Sequence, residues 1–319
     1  MPYADVWSSI AASRSPTATP MWSIRPNIGR SVPSPGVRIA LSANTQSGGG
    51  LDPEPLADAM REAGAEVEVF GCEPEELERA AATFPERIAV AGGDGTIGAA
   101  AELAGRLGVP LAVIATGTAN DFARANDLPD DPLEAARLAG AGTRTRSLEL
   151  GRLADGRPFV NVASAGLAAK AAQHAAPFKK ALGPLAYGVG ALRAAATESP
   201  MRCSVRVDGE TRFEGGAWQL IVAAGGAFGG GSEIGVADPH DGELDVTVLP
   251  AGSRLALARR AWGLRRGTVE QQEPVEHHRG CVVEVRLARG AELNVDGEIR
   301  EGGLERVTVE RAAYALVVG

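Results

Sequence analysis

The chain has 319 residues, 45% of them hydrophobic and 4% aromatic, which is enough for two soluble domains with cores of their own. A formal charge of −8 excludes broad electrostatic binding to nucleic acid, which would need a net basic face. Cys72, Cys203 and Cys281 are odd in number, far apart and without a CxxC spacing, so neither a disulfide framework nor a cysteine zinc site is expected and a reducing cytoplasm fits.

Residues 1–36, dominated by Ser, Pro, Thr and Ala, lack a signal-peptide core and any helix or strand period, and are expected to be a disordered leader. No later run reaches the roughly 18 apolar residues of a membrane span. From Val37 the pattern alternates. "VRIALSA" (37–43) predicts a strand, and "PEPLADAMREAG" (53–64) a helix with proline at its start and glycine at its end. The strand "AEVEVF", a helix around Leu77, Ala81 and Phe84, the strand "RIAVA", a helix over 97–107 and the strand "LAVIA" (111–115) continue the series. Such β–α repetition predicts a parallel sheet wrapped by helices. Near 142–150 the composition changes, 166–197 reads as helical, and the remainder alternates in strands separated by Gly and Asp turns. The expected organisation is an α/β domain over 37–145, a mainly antiparallel β domain over 146–304, and a segment 305–319 returning to the first.

"IAVAGGDGTI" (88–97) carries an acid inside a glycine loop between a buried strand and a helix. Open α/β sheets bind ligands at that edge. Closely spaced glycines let backbone amides approach an anion, the helix start adds partial positive charge, and Asp94 can hold magnesium bound to a phosphate. A plain strand–helix turn would use the same residues. The loop is neither Walker A nor GxGxxG. A second polar loop, "TGTANDFARANDLP" (116–129), follows the next strand and lines the same edge.

GGDGT followed by GT-x-NDFAR resembles the catalytic domain of the diacylglycerol kinase family, which includes bacterial lipid kinases and sphingosine and ceramide kinases. "SANTQSGGG" (42–50), "FVNVASAGLAAK" (159–170), "GGGSEIGVADPHDGELDVTVL" (229–249) and "LNVDGE" (293–298) resemble its other landmarks, so the resemblance spans about 37–319. It implies a nucleotide-binding α/β domain related to NAD kinases and phosphofructokinases, followed by a β-sandwich with the acceptor site. It implies ATP and Mg2+ as cofactors and the hydroxyl of diacylglycerol or a related lipid as acceptor. Carried over by motif, Asn44, Gly92, Gly93, Gly95, Thr96, Gly117, Thr118 and Asn120 bind nucleotide, Asp94 places metal or acceptor, and Asp121 with Arg124 forms a supporting charge network.

"DGE" occurs at 208–210, 241–243 and 296–298, and Asp-Gly between apolar strands is first of all a hairpin turn. The first triplet is expected to be only that. The second sits at a family landmark, where the resemblance makes Asp245 a metal ligand. The third matches the family's catalytic acid pair, with Glu298 as general base and Asp296 orienting it or holding magnesium-bound water. The chain departs from the family where the usual Asn-Pro is Asn44-Thr45, the usual Pro-Leu is Ala115-Thr116, and the usual Asn-Glu after GGDGT-x is Gly98-Ala99. Ala168 and Ala169 stand where sphingoid-type members carry an acid, which disfavours a sphingoid base.

His277-His278 is expected to face solvent and His240 to be a turn residue. "RLALARRAWGLRRG" (254–267) holds five arginines among Leu and Trp, like an interfacial helix that touches anionic lipid or like a solvated helix face. Together with 174–196 it suggests a cytoplasmic protein that meets its lipid peripherally at the membrane surface. Homodimerisation is left open. Two other readings remain: an NAD kinase-like enzyme acting on a soluble substrate, and a non-catalytic lipid- or nucleotide-binding protein.

Overall fold

Short apolar runs of alternating bulk build the first half. In the computed structural model, residues 36–45, 51–175, 194, 197–225, 227–228, 232–233, 238–254, 266, 275–287, 291–302 and 304–319 are described. The expected leader, most of the two arginine- and lysine-bearing helices and most of the first glycine loop lie outside them. Strands β1 (Arg38–Ala43), β2 (Glu66–Phe70), β3 (Arg87–Gly92) and β4 (Leu111–Ala115) pair in parallel in the order β2-β1-β3-β4. Between them run α1 (Glu54–Glu62), α2 (Pro74–Ala82) and α3 (Asp94–Leu107), followed by α4 (Asp121–Ala125) and α5 (Pro132–Ala141). Alternate strand residues serve two cores. Ile88, Val90 and Val113 pack with Ile97 and Leu103 of α3, while Ala89, Ala91, Ala112 and Ile114 pack with Met60 of α1 and Ala135 and Ala139 of α5. The sheet is therefore covered on both faces.

Local chemistry sets the helix ends. Pro132 opens α5, and Asp131 caps it by accepting the amides of Leu133 and Glu134, each at 2.9 Å. Helix α3 closes on Gly108 in the left-handed region at φ 68°. It begins at Asp94, three residues earlier than the sequence suggested, because extended Gly93 accepts both the Thr96 amide (3.0 Å) and the Thr96 hydroxyl (2.7 Å). Gly95 and Thr96 thus lie in the first helical turn.

The second half is β5 (Arg144–Arg152), β6 (Pro158–Phe159), β7 (Val162–Gly166), α6 (Leu167–Ala175), β8 (Met201–Val207), β9 (Glu210–Ala223), β10 (Ala227–Phe228), β11 (Ser232–Glu233), β12 (Leu244–Pro250), β13 (Glu276–Gly280), β14 (Val282–Leu287), β15 (Glu292–Val295), β16 (Glu298–Glu301) and β17 (Arg306–Val318). The long β9 pairs antiparallel with β8, β7 and β12, and β15 extends β7 toward the edge hairpin with β16. Val205, Phe213, Leu220, Val246, Val283 and Leu293 form its core. Strand β17 pairs with β14 at its start and with β4 near its end, and β5 lies along it. This continuity of hydrogen bonding brings the β15–β16 hairpin's half of the sheet onto the strands that carry the glycine loops.

Candidate active site

The two glycine loops leave β3 and β4 at the carboxyl edge of the parallel sheet. Neighbouring loop backbones are pinned together: the Asn44 amide donates to Ala91 (2.9 Å) and the Thr116 amide to Gly92 (2.9 Å). The Gly93 and Gly117 backbones abut, and beside them the buried Asn120 Oδ1 has no hydrogen-bond partner. Asn120 is held at φ 52°, in the left-handed region that asparagine tolerates better than most residues. An unpartnered buried oxygen beside closely packed backbone is a donor-seeking, ligand-facing arrangement.

Asp94 ties the loops to each other. Its carboxylate accepts the amides of Phe122 (2.9 Å) and Asp121 (3.2 Å) at the start of α4, and burial pushes its pKa up. Asp121 in turn pairs with Arg124 at 2.8 Å. From the second half of the chain, Asn161 Nδ2 reaches Asp94 at 3.5 Å.

Asp296 anchors that second half. It occupies the β15–β16 turn with φ 46°, followed by Gly297 at 88°, the pair of positive dihedrals that a two-residue hairpin favours. Its carboxylate folds back and accepts the amides of Val160 (2.8 Å), Val162 (2.9 Å) and Asn161 (3.0 Å). Burial nonetheless pushes this carboxyl up to about 7. Asn161 therefore touches both acids, Asp296 through its backbone and Asp94 through its side chain.

Glu298 opens β16, two residues on, and lies against the first turn of α3. A Cβ placed on Gly95 would stand 2.5 Å from Glu298 Oε1. The other oxygen accepts from Arg300 Nη2 at 2.5 Å. Burial raises the Glu298 pKa, and the positive charge of Arg157 opposes that rise. One turn further along the same helix face, a Cβ on Gly98 would stand 3.1 Å from the Pro158 carbonyl. The missing side chain at position 98 thus admits the β5–β6 hairpin.

The structure gathers Asp94, Gly95, Thr96, Gly117, Asn120, Asp296 and Glu298, while Asp245 has other partners. Asp245 is buried on β12, where His277 Nε2 lies 2.8 Å from its carboxylate and Arg279 Nε lies 3.5 Å away. Arg279 also pairs with Asp241 and, at 3.6 Å, with Glu243, so one guanidinium lies among the three acids of this landmark. Asp296 accepts three backbone amides, which fixes residues 160–162 against its turn. Among the described residues no cluster of three or more His, Cys, Asp or Glu side chains is arranged for a metal. His277 and His278 are half-buried and partnered by Asp245 and Glu276, not solvent-facing as expected, because β13 lays them beside β12. His240 caps its own turn through Asp238.

Sequence reasoning missed Asn161, Arg157 and Arg300. Asn161 stood in view inside "FVNVASAG"; the two arginines carry no local signal. Among the described residues, no helix is long and apolar enough to cross a membrane.

Comparison with known proteins agrees with this layout. Residues 38–153 match the diacylglycerol kinase catalytic domain, and residues 161–318 match the YegS C-terminal NAD kinase beta sandwich-like domain. A probable lipid kinase YegS-like protein of Pseudomonas aeruginosa is 31% identical over 86% of this chain and 92% of its own length. The diacylglycerol kinase of Bacillus subtilis is 30% identical over 66% of this chain and 70% of its own. A crystal structure of a diacylglycerol kinase from Bacillus anthracis shares the fold, with a TM-score of 0.71 at 21% identity, covering 90% of this chain and 98% of that one.

Proposed function

The chain belongs to the YegS-like lipid kinases, built on the diacylglycerol kinase catalytic domain, and from that premise we propose that it transfers the γ-phosphate of ATP to the hydroxyl of diacylglycerol or a related lipid. The observation that carries the reading is the placement of Glu298 against Gly95, a carboxylate from the β half at the head of the helix that follows GGDGT.

Gly92, Gly93, Gly95 and Thr96 hold the nucleotide phosphates, Gly117, Thr118 and the donor-seeking oxygen of Asn120 complete the nucleotide site, and Asn44 borders the same edge. The unpartnered Asn120 oxygen and the abutting loop backbones fit a nucleotide. Glu298 takes the proton of the acceptor hydroxyl as its oxygen attacks the γ-phosphorus. The bond from that phosphorus to the β–γ bridging oxygen breaks, and ADP leaves. Magnesium, when bound with the nucleotide, supplies charge neutralisation, and Asp94 is the carboxylate beside the loop whose position suits holding its waters. Asp296 acts through the backbone: by fixing 160–162 and the turn before β16 it sets where Glu298 stands.

Purified protein incubated with γ-labelled ATP, Mg2+ and separate panels of lipids, NAD and sugar phosphates tests the reading. Label is expected in a lipid extract. Label in NAD alone, or ATP binding with no transfer to any acceptor, would replace it with one of the other two readings.

A further inference from the structure

Phosphoryl transfer is mostly positioning and charge neutralisation, yet neither glycine loop carries a lysine. The cations near the site are largely committed. Arg124 holds Asp121 and the Ala119 carbonyl, Arg152 holds Glu310 and Glu102, and Arg300 holds Glu298.

Arg157 is different. It ends the turn between β5 and β6, where its exposed guanidinium pairs with Asp155, two positions away, at 3.0 Å. Both side chains are substantially exposed, at 53% and 39%, so the pair is easily given up. The turn itself is well fixed: the Leu153 amide donates to the Arg157 carbonyl (2.9 Å), and Pro158, the next residue, packs against Gly98 of α3. Gly95 and Gly98 are three residues apart and share one helix face. Glu298 lies on the first and the Pro158 carbonyl on the second, so Arg157, the residue before Pro158, is held on the face of α3 that carries the carboxylate proposed as base.

We propose that Arg157 is a phosphate-binding residue of this site, contacting an oxygen of the phosphoryl group that passes from nucleotide to acceptor beside Glu298 and the head of α3. The inference rests on the kinase reading above and adds to it a cation beyond Arg124, which is held by its own loop. Its electrostatic effect on Glu298, which counters burial, is a second sign of that proximity. Arginine suits the task because its planar fork can meet two phosphate oxygens and its charge survives at any working pH.

The test is equilibrium binding of ATP and of ADP, each with Mg2+, to the wild-type protein, Arg157→Gln and Arg157→Lys, after thermal unfolding has shown the three equally folded. Arg157→Gln should weaken ATP by about 10- to 100-fold, the range for a lost hydrogen bond to a charged group, and leave ADP nearly unchanged. Arg157→Lys should recover part of the difference. A second arm compares KM for a neutral lipid acceptor with KM for one bearing a headgroup phosphate. Unchanged ATP binding with weakened use of the anionic lipid alone would assign the bound phosphate to the acceptor. An unchanged ATP-to-ADP affinity ratio together with unchanged acceptor constants would overturn the proposal. Because binding is read without turnover, absence of lipid phosphorylation by the wild type would count against the acceptor and leave the nucleotide arm decisive for Arg157.

Discussion

Glu298 and Gly95 meet across the two halves of the chain so closely that a Cβ on the glycine would stand 2.5 Å from the carboxylate oxygen. Gly95→Ala should therefore fold, because the end of a glutamate side chain can swing away, but with the base displaced. A displacement of about 1 Å can cost about 100-fold in rate. Steady-state lipid phosphorylation should fall by one to two orders of magnitude on that basis. Turnover at the wild-type rate would show that the contact has no part in catalysis.

Asp296→Asn should destabilise the protein. Three amides point at the carboxylate, so one of them would face the new NH2 group, donor against donor. Leaving a buried donor unsatisfied costs about 1–3 kcal/mol. Denaturant unfolding should report a loss of that size, with activity reduced because 160–162 and the Glu298 turn shift together. A midpoint equal to wild type would remove the positioning role.

Two buried carboxyls, Asp296 and Glu149, are each pushed up to about 7. Glu149 faces a cavity of about 110 Å³ lined with Asn126, Asn161 and Tyr314, and its Oε1 has no hydrogen-bond partner. A folded pKa above the unfolded one means the native state holds the proton more tightly. The associated stability is fully present below about pH 4 and is lost as pH rises through about 7. The melting temperature should accordingly fall between pH 5.5 and 8. Glu149→Gln, a neutral mimic of the protonated acid, should flatten part of that fall. Equal slopes in the two proteins would mean that Glu149 does not titrate in this window.

The stretches 174–196 and 253–267 are proposed to dock reversibly on anionic bilayers, on the strength of their arginines, lysines and leucines. Sedimentation with vesicles should show binding to anionic but not neutral lipid, weakening as salt is raised. Equal recovery under all four conditions would remove the electrostatic contribution.

The parallel sheet, the helices α1 to α3 and the two glycine loops were readable because each depends on near-neighbour patterns: alternating bulk in "RIAVA", proline at the start of the 53–64 helix and glycine at its end. Asp296-Gly297 was readable as a turn for the same reason. That its carboxylate would reach back to Val160, Asn161 and Val162 was not, since no local period reports a contact 134 to 136 residues away. The same limit hid the partner of Asp245, whose neighbours on β13 are set by strand register. The departure at Gly98 has a long-range cause of the same kind, since the β5–β6 hairpin packs where its side chain would be. The start of α3 moved because Thr96 bonds back to Gly93, a capping choice that GGDGT permits without announcing.

The most direct measurement is the rate of lipid phosphorylation by Glu298→Gln at saturating ATP, set beside Glu210→Gln, the exposed first residue of β9 after the β8–β9 turn. If Glu298 takes the acceptor proton, its amide variant should keep the wild-type melting temperature and ATP affinity while turnover drops by about 10² to 10⁴, the span for a lost general base. Glu210→Gln should stay near wild type, because an exposed turn tolerates amide for carboxylate. Near-wild-type turnover in Glu298→Gln would contradict the account and transfer the role to Asp94, the other carboxylate at the head of α3.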